Sequence, residues 1–152
     1  MLRGTVHSIC SRAGWREPAA DELGAYAFNL EGDLAFSLSS PDGERLLARA
    51  LLLAPEPGEA IPAETLEVVA RITAARFARL RAVPSLSPET GCLELHAFTG
   101  LRGSDDEEKM EFVETFCNDL AFWKAQPTLA GGLLAPAPPS PGRARPLDCR
   151  HG

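Results

Sequence analysis

The sequence predicts one α+β domain, a mainly antiparallel, twisted sheet of about five strands with three helices in the order α-β-β-β-α-β-β-α. Three observations lead to that class. Five short segments carry strand signatures and are parted by turns bearing Pro or Gly. Three other segments repeat apolar residues at helical spacing. The strands come as a meander and then a hairpin, which makes the sheet mainly antiparallel.

The elements follow in order. Residues 2–13 form a short helix in which Leu2, Val6, Ile9, Cys10 and Ala13 share helical spacing; Gly14 stops it, and Trp15 lies just past the stop. Tyr26, Phe28 and Leu30 alternate with smaller or polar residues, the pattern of a half-buried strand. A tight turn at Glu31-Gly32-Asp33 leads into a second alternating run, Leu34, Phe36 and Leu38. Ser40-Pro41-Asp42-Gly43 is a strong turn. The third strand, Arg45 to Ala54, is apolar at nearly every position, as a strand central in the sheet would be.

Pro62 then opens a helix through ETLEVVARITAARFARL, with Glu64 and Glu67 early and Arg76, Arg79 and Arg81 late, an order that complements the helix dipole. Leu66, Val69, Ile72, Phe77 and Leu80 mark its apolar stripe. The hairpin follows: Ser85-Leu86-Ser87, a turn through Pro88 to Gly91, and Cys92 to Thr99. Ser104 and Glu107 match a capping box, which places the start of the last helix at Ser104. Met110, Val113, Cys117 and Leu120 form its stripe, widened by Phe112, Phe116 and Trp123.

The folded domain is expected over residues 1–126. Residues 127–152 hold six of the 13 prolines and no aromatic residue, the composition of a flexible tail. Residues 1–126 carry 12 Lys/Arg against 20 Asp/Glu, a net −8, and the tail carries 3 against 1, a net +2. A domain this acidic repels nucleic acid and anionic lipid, so neither is expected as a partner. No apolar run approaches the roughly 18 residues of a membrane-spanning helix, and the first residues lack a signal-peptide pattern, so a cytoplasmic address is expected.

Chemistry-bearing constellations are few. His7 and Cys10 are one helical turn apart, but Cys149 and His151 are too tightly spaced to complete a zinc site with them. Cys92 and His96 share a strand face yet lie too far apart for a thiolate–imidazole pair. Asp105 to Glu108 suit a helix start better than a metal cluster, because consecutive helix positions diverge. Gly100-Leu101-Arg102-Gly103 lacks the Lys-Ser/Thr of a phosphate loop. No catalytic residue, metal or cofactor is therefore expected, and function is left to apolar surface.

The order of elements and several local phrases resemble the class I type III secretion chaperones, the Tir-chaperone family. Leu86-Ser87-Pro88-Glu89-Thr90-Gly91-Cys92-Leu93-Glu94-Leu95 looks like that family's segment in which a Thr-Gly turn precedes an x-L-x-L strand. Ala121-Phe122-Trp123 is similar to the aromatic close of the family's last helix. The resemblance spans about residues 2–126. The first helix is shorter than usual, Ala74-Ala75-Arg76 stands where many members have a polar, Asn-like position, and the Pro-rich tail has no counterpart.

The resemblance implies a homodimer without ATPase activity that holds an extended segment near the N-terminus of a secreted effector. It also implies that a sheet edge accepts a strand from that partner. On this reading Val6, Ile9, Tyr26, Phe28 and Phe36 are the expected partner-binding residues: the two strand aromatics share a face and Phe36 is their cross-strand neighbour. Leu66, Val69, Ile72 and Phe77 are the expected dimer contacts. The alternative is a regulatory or protein-binding module of the same fold with no secretion role.

Overall fold

Five strands pair in the order β1-β2-β3-β5-β4, antiparallel throughout, in a computed structural model that describes residues 1–129. The elements are α1 (Leu2–Ala13), β1 (Tyr26–Leu30), β2 (Leu34–Ser39), β3 (Arg45–Leu53), α2 (Ala63–Arg76), β4 (Val83–Leu86), β5 (Leu93–Gly100) and α3 (Asp106–Lys124). This is the α+β order expected from the sequence. The apolar β3 does occupy the centre of the sheet.

Register divides the residues between two faces. Phe28 pairs with Phe36, Tyr26 with Leu38, Leu38 with Ala48, and Ala50 with Leu95, so all of these side chains share one face. α3 packs on that face over β2, β3 and β5, and α1 packs on α3. The core closes between them: Val6, Ile9 and Cys10 from α1, and Val113, Phe116, Leu120 and Trp123 from α3, are buried against the strand residues. Phe36 sits at its aromatic centre, stacked on Phe28 at 5.0 Å and tilted against Phe116 at 5.8 Å. Leu129 also joins the core, three residues beyond the expected domain boundary. The remainder of the expected tail lies outside the described residues.

Two helix starts differ from expectation. The hydroxyl of Ser104 donates to the Gly100 carbonyl at 2.8 Å, so it is not a cap. Asp105 caps α3 instead, its carboxylate accepting from the Glu108 N–H at 2.8 Å. Both residues are good caps by type, and the side-chain bond to the end of β5 decides between them. α2 also ends earlier than its apolar stripe, at Arg76, with Phe77 outside the helix.

Candidate functional site

An antiparallel strand turns alternate backbone groups towards its two neighbours, so a strand at the edge of a sheet leaves half of them unpaired. This sheet has two such edges, β1 and β4. At β4, the Ser87 N–H donates to the Cys92 carbonyl at 2.8 Å and sets the phase of the hairpin. Alternation from there turns Ser85 and Val83 towards β5 and Pro84 and Leu86 outward. Pro84 has no N–H, so the β4 edge is short of a donor where a further strand would need one.

The β1 edge is different. Asp21 N–H donates to the Ala25 carbonyl at 2.8 Å, and Ala20 bridges Tyr26 antiparallel. That phase turns the backbone groups of Ala25, Ala27 and Asn29 outward. The α1–β1 connection, residues 14–25, thus covers the Tyr26 end of the edge, and its bridge stops at Ala20. The other end opens on a cleft of about 540 Å³ lined by Gly14, Trp15, Arg16, Leu34 and the strand residues Ala27 to Glu31. Its volume lies in the range of ordinary ligand clefts.

Local sequence builds this cleft. Gly14 takes φ 69°, the left-handed helix ending that a residue without Cβ reaches most easily. The chain then turns Trp15 onto the sheet, with its ring 5.9 Å from Phe28 and 6.4 Å from Phe36. Leu30 and Leu34 are half-buried beside it. The mouth is polar: Arg16, Asn29 and Glu31 are exposed. An apolar floor beside outward-facing backbone groups is a surface for an extended chain, whose own N–H and C=O groups pair with the strand while alternate side chains reach the floor.

The residues expected to bind a partner fall elsewhere. Val6, Ile9 and Phe36 are fully buried, and Phe28 and Tyr26 are 4% and 8% exposed, so these five are core and not surface. They lie on the sheet face that α1 and α3 cover, which period-two alternation alone does not reveal. Of the five, Phe28 borders the cleft. In the sequence Trp15 stands out only for its place after the helix stop. An aromatic residue just past a helix-ending Gly was the available signal for the cleft.

The expected dimer residues are divided. Val69 is buried, which removes it from any interface, and Leu66 and Ile72 are partly buried against the core. Phe77 is 78% exposed. Val83, Leu86 and Phe98 are also largely exposed, with the Arg45 guanidinium 5.1 Å from the centre of the Phe98 ring.

The titratable groups offer no activated nucleophile among the free thiols. Burial pushes the Cys117 thiol up to about 11, and burial with the nearby Glu17 carboxylate also raises Cys10. Among the described residues no group of three or more His, Cys, Asp or Glu side chains could hold a metal ion. His7 lies 2.9 Å from Glu17, and His96 places its ring nitrogens by Ser85 at 2.8 Å and Glu94 at 3.1 Å. Cys149 and His151 lie outside the described residues. No described helix is long and apolar enough to cross a membrane.

No family model and no curated protein matches the chain in sequence. Solved structures match it in shape. A chain of the HopA1–SchA chaperone–effector complex superposes with a TM-score of 0.62 at 13% identity, over 82% of this chain and 94% of its own. A chain of the ExsC–ExsE complex gives 0.60 at 16%, over 81% and 90%. The structure of the Yersinia pestis type III secretion chaperone SycH with a stable fragment of YscM2 gives 0.57 at 12%, over 81% and 99%. The chain has the type III secretion chaperone fold. In these neighbours the fold occurs in complexes, two of them described as containing a chaperone. The match spans nearly the whole of each neighbour chain.

Proposed function

We propose that this protein is a type III secretion chaperone of the bacterial cytoplasm. It binds the extended N-terminal segment of a secreted effector as a homodimer and keeps it competent for secretion, without ATP or any other cofactor. The observation that carries this reading is the fold shared, over about four fifths of the sequence, with chains of three complexes, among them a chaperone–effector complex and a type III secretion chaperone bound to a fragment of another protein. The open half of the β1 edge supports it, because a strand edge beside an apolar cleft takes an unfolded chain through backbone pairing with little sequence preference. Neither free thiol is tuned for catalysis. Phe77, with the partly buried Leu66 and Ile72, is the proposed dimer contact.

The test is co-purification. The tagged protein is co-expressed with the N-terminal 100 or so residues of a secreted protein encoded next to it, in the absence of added nucleotide. The expected result is a soluble complex in which the effector segment is protected from protease. A segment that stays insoluble and unbound, with the tagged protein itself folded, would overturn the reading.

A further inference from the structure

The connection between α1 and β1 does more than link them. After Trp15 it leaves α1, where Glu17 is tied to His7, and returns alongside β1 until Ala20 pairs with Tyr26. A tight turn then reverses it. Asp21 organises that turn: its carboxylate accepts from the Leu23 N–H at 2.9 Å and the Ala25 N–H at 2.8 Å, its own N–H donates to the Ala25 carbonyl, and its carbonyl accepts from Gly24 at 3.0 Å. Gly24 takes φ 78°, as the reversal requires. Yet the strand so formed has one bridge pair, and residues 19 to 24 are exposed, including Leu23 at 71%. Little apolar burial holds it, so its stability rests on the hydrogen bonds of one exposed carboxylate.

We propose that residues 16–24 are a displaceable guard of the β1 edge: an internal strand that pairs with the Tyr26 end of β1 and yields to an incoming strand that enters at Asn29. Unguarded, the outward groups of Ala25, Ala27 and Asn29 would form a continuous template for another copy of this chain, the hazard of any free edge. The other edge carries Pro84 and needs no such cover. The entering strand lands in the open cleft, pairs first with Asn29, and extends over Ala27 and Ala25 as the guard peels back. The guard therefore sets a length requirement: a short strand pairs only with the open half, and a longer one gains the guarded half at the cost of the Asp21 turn. The incoming strand rests on the chaperone reading above; the guard itself does not.

The test compares wild type with Asp21→Ala, Asp21→Asn and Leu23→Ala, all at exposed positions. Circular dichroism serves as the fold control. Amide exchange is followed by NMR in the free protein, and then with reduced, carboxymethylated lactalbumin as an extended-chain probe. In the free protein, Asp21→Ala should speed exchange at Gly24 and Ala25 on the order of tenfold, whereas Asp21→Asn, which keeps an acceptor oxygen, and Leu23→Ala should stay near wild type. Unchanged exchange at Gly24, whose bond to the Asp21 carbonyl the substitution does not itself remove, in a folded Asp21→Ala protein would overturn the guard. With the probe bound to wild type, the Asn29 amide should slow while Leu23 and Gly24, whose partners lie within the displaced turn, speed up. Slowing at Asn29 with no change at Leu23 and Gly24 would overturn displacement. Failure of the probe to bind any variant would count against the incoming strand, and the free-protein exchange would then decide the guard alone.

Discussion

Phe28 shows how much one residue's role depends on what lies over it. Its alternation marks it as facing one side of a strand, and that side is the core: it stacks on Phe36 within 9° of parallel and meets the Trp15 ring. Phe28→Asp places a charge among aromatic rings with no partner, a cost of several kcal/mol that rivals the whole stability of a domain. The expected outcome is loss of the folded circular-dichroism signal, not a folded protein with impaired binding. Cys117 supplies a residue-scale test of burial. Its thiol is raised from 9.0 to about 11 because burial disfavours the thiolate, with Glu114 adding to the effect. A raised acid pKa favours the folded state only while the thiol is protonated. The contribution of Cys117 is therefore intact below pH 9 and declines as pH rises towards 11. Alkylation by iodoacetamide at pH 8 should be much slower at Cys117 in the native protein than after denaturation; equal rates would contradict the burial.

At the scale of elements, one carboxylate joins three of them. Asp119 on α3 is buried and accepts the N–H groups of Arg81 at 3.0 Å and Ala82 at 2.9 Å, in the connection from α2 to β4. It thereby fixes where the β4 edge and the end of α2 sit on the body of the protein. Asp119→Ala strands two amides, and the expected loss is about 1–3 kcal/mol in a denaturant titration. Asp119→Asn, which retains an acceptor oxygen, should recover part of it. The helix-start preferences in the sequence were legible at this scale but ambiguous, since Ser104 and Asp105 are adjacent caps and only the bond from Ser104 to Gly100 separates them. Strand boundaries were legible to within about two residues because turn chemistry at Gly32, Gly43 and Gly91 leaves little choice: all three take positive φ.

For the whole molecule, the described part is a sheet with α1 and α3 on one face and α2 beside β4. Phe77 lies beyond the end of α2 and is the most exposed large apolar side chain among the described residues. If it contributes to a dimer contact as proposed, Phe77→Asp should halve the mass measured by light scattering at micromolar concentration and leave circular dichroism unchanged. A wild-type mass near 16 kDa would remove the homodimer from the proposal. The acidic net charge of the folded part predicts faster capture of basic segments than of acidic ones at low salt, with the difference shrinking as salt is raised.

The sequence by itself determined the class of the fold, the order of eight elements and the antiparallel meander and hairpin, because these rest on local periodicity and turn chemistry. The Leu86–Leu95 phrase and the aromatic close of α3 also carry a resemblance to the chaperone fold in the sequence itself. Tertiary structure decided which face of each strand is covered. It moved Val6, Ile9, Tyr26, Phe28 and Phe36 from expected surface to core, and left Phe77 exposed while burying Val69. It also decided that β1 and β4 are the edges, which turns Pro84 into a block and the cleft at Trp15 into a point of entry. The physical reason is that alternation says two residues share a face, whereas coverage of that face depends on helices distant in sequence: α1 and α3 on one side, and only the short connection through Ala20 along the edge of β1.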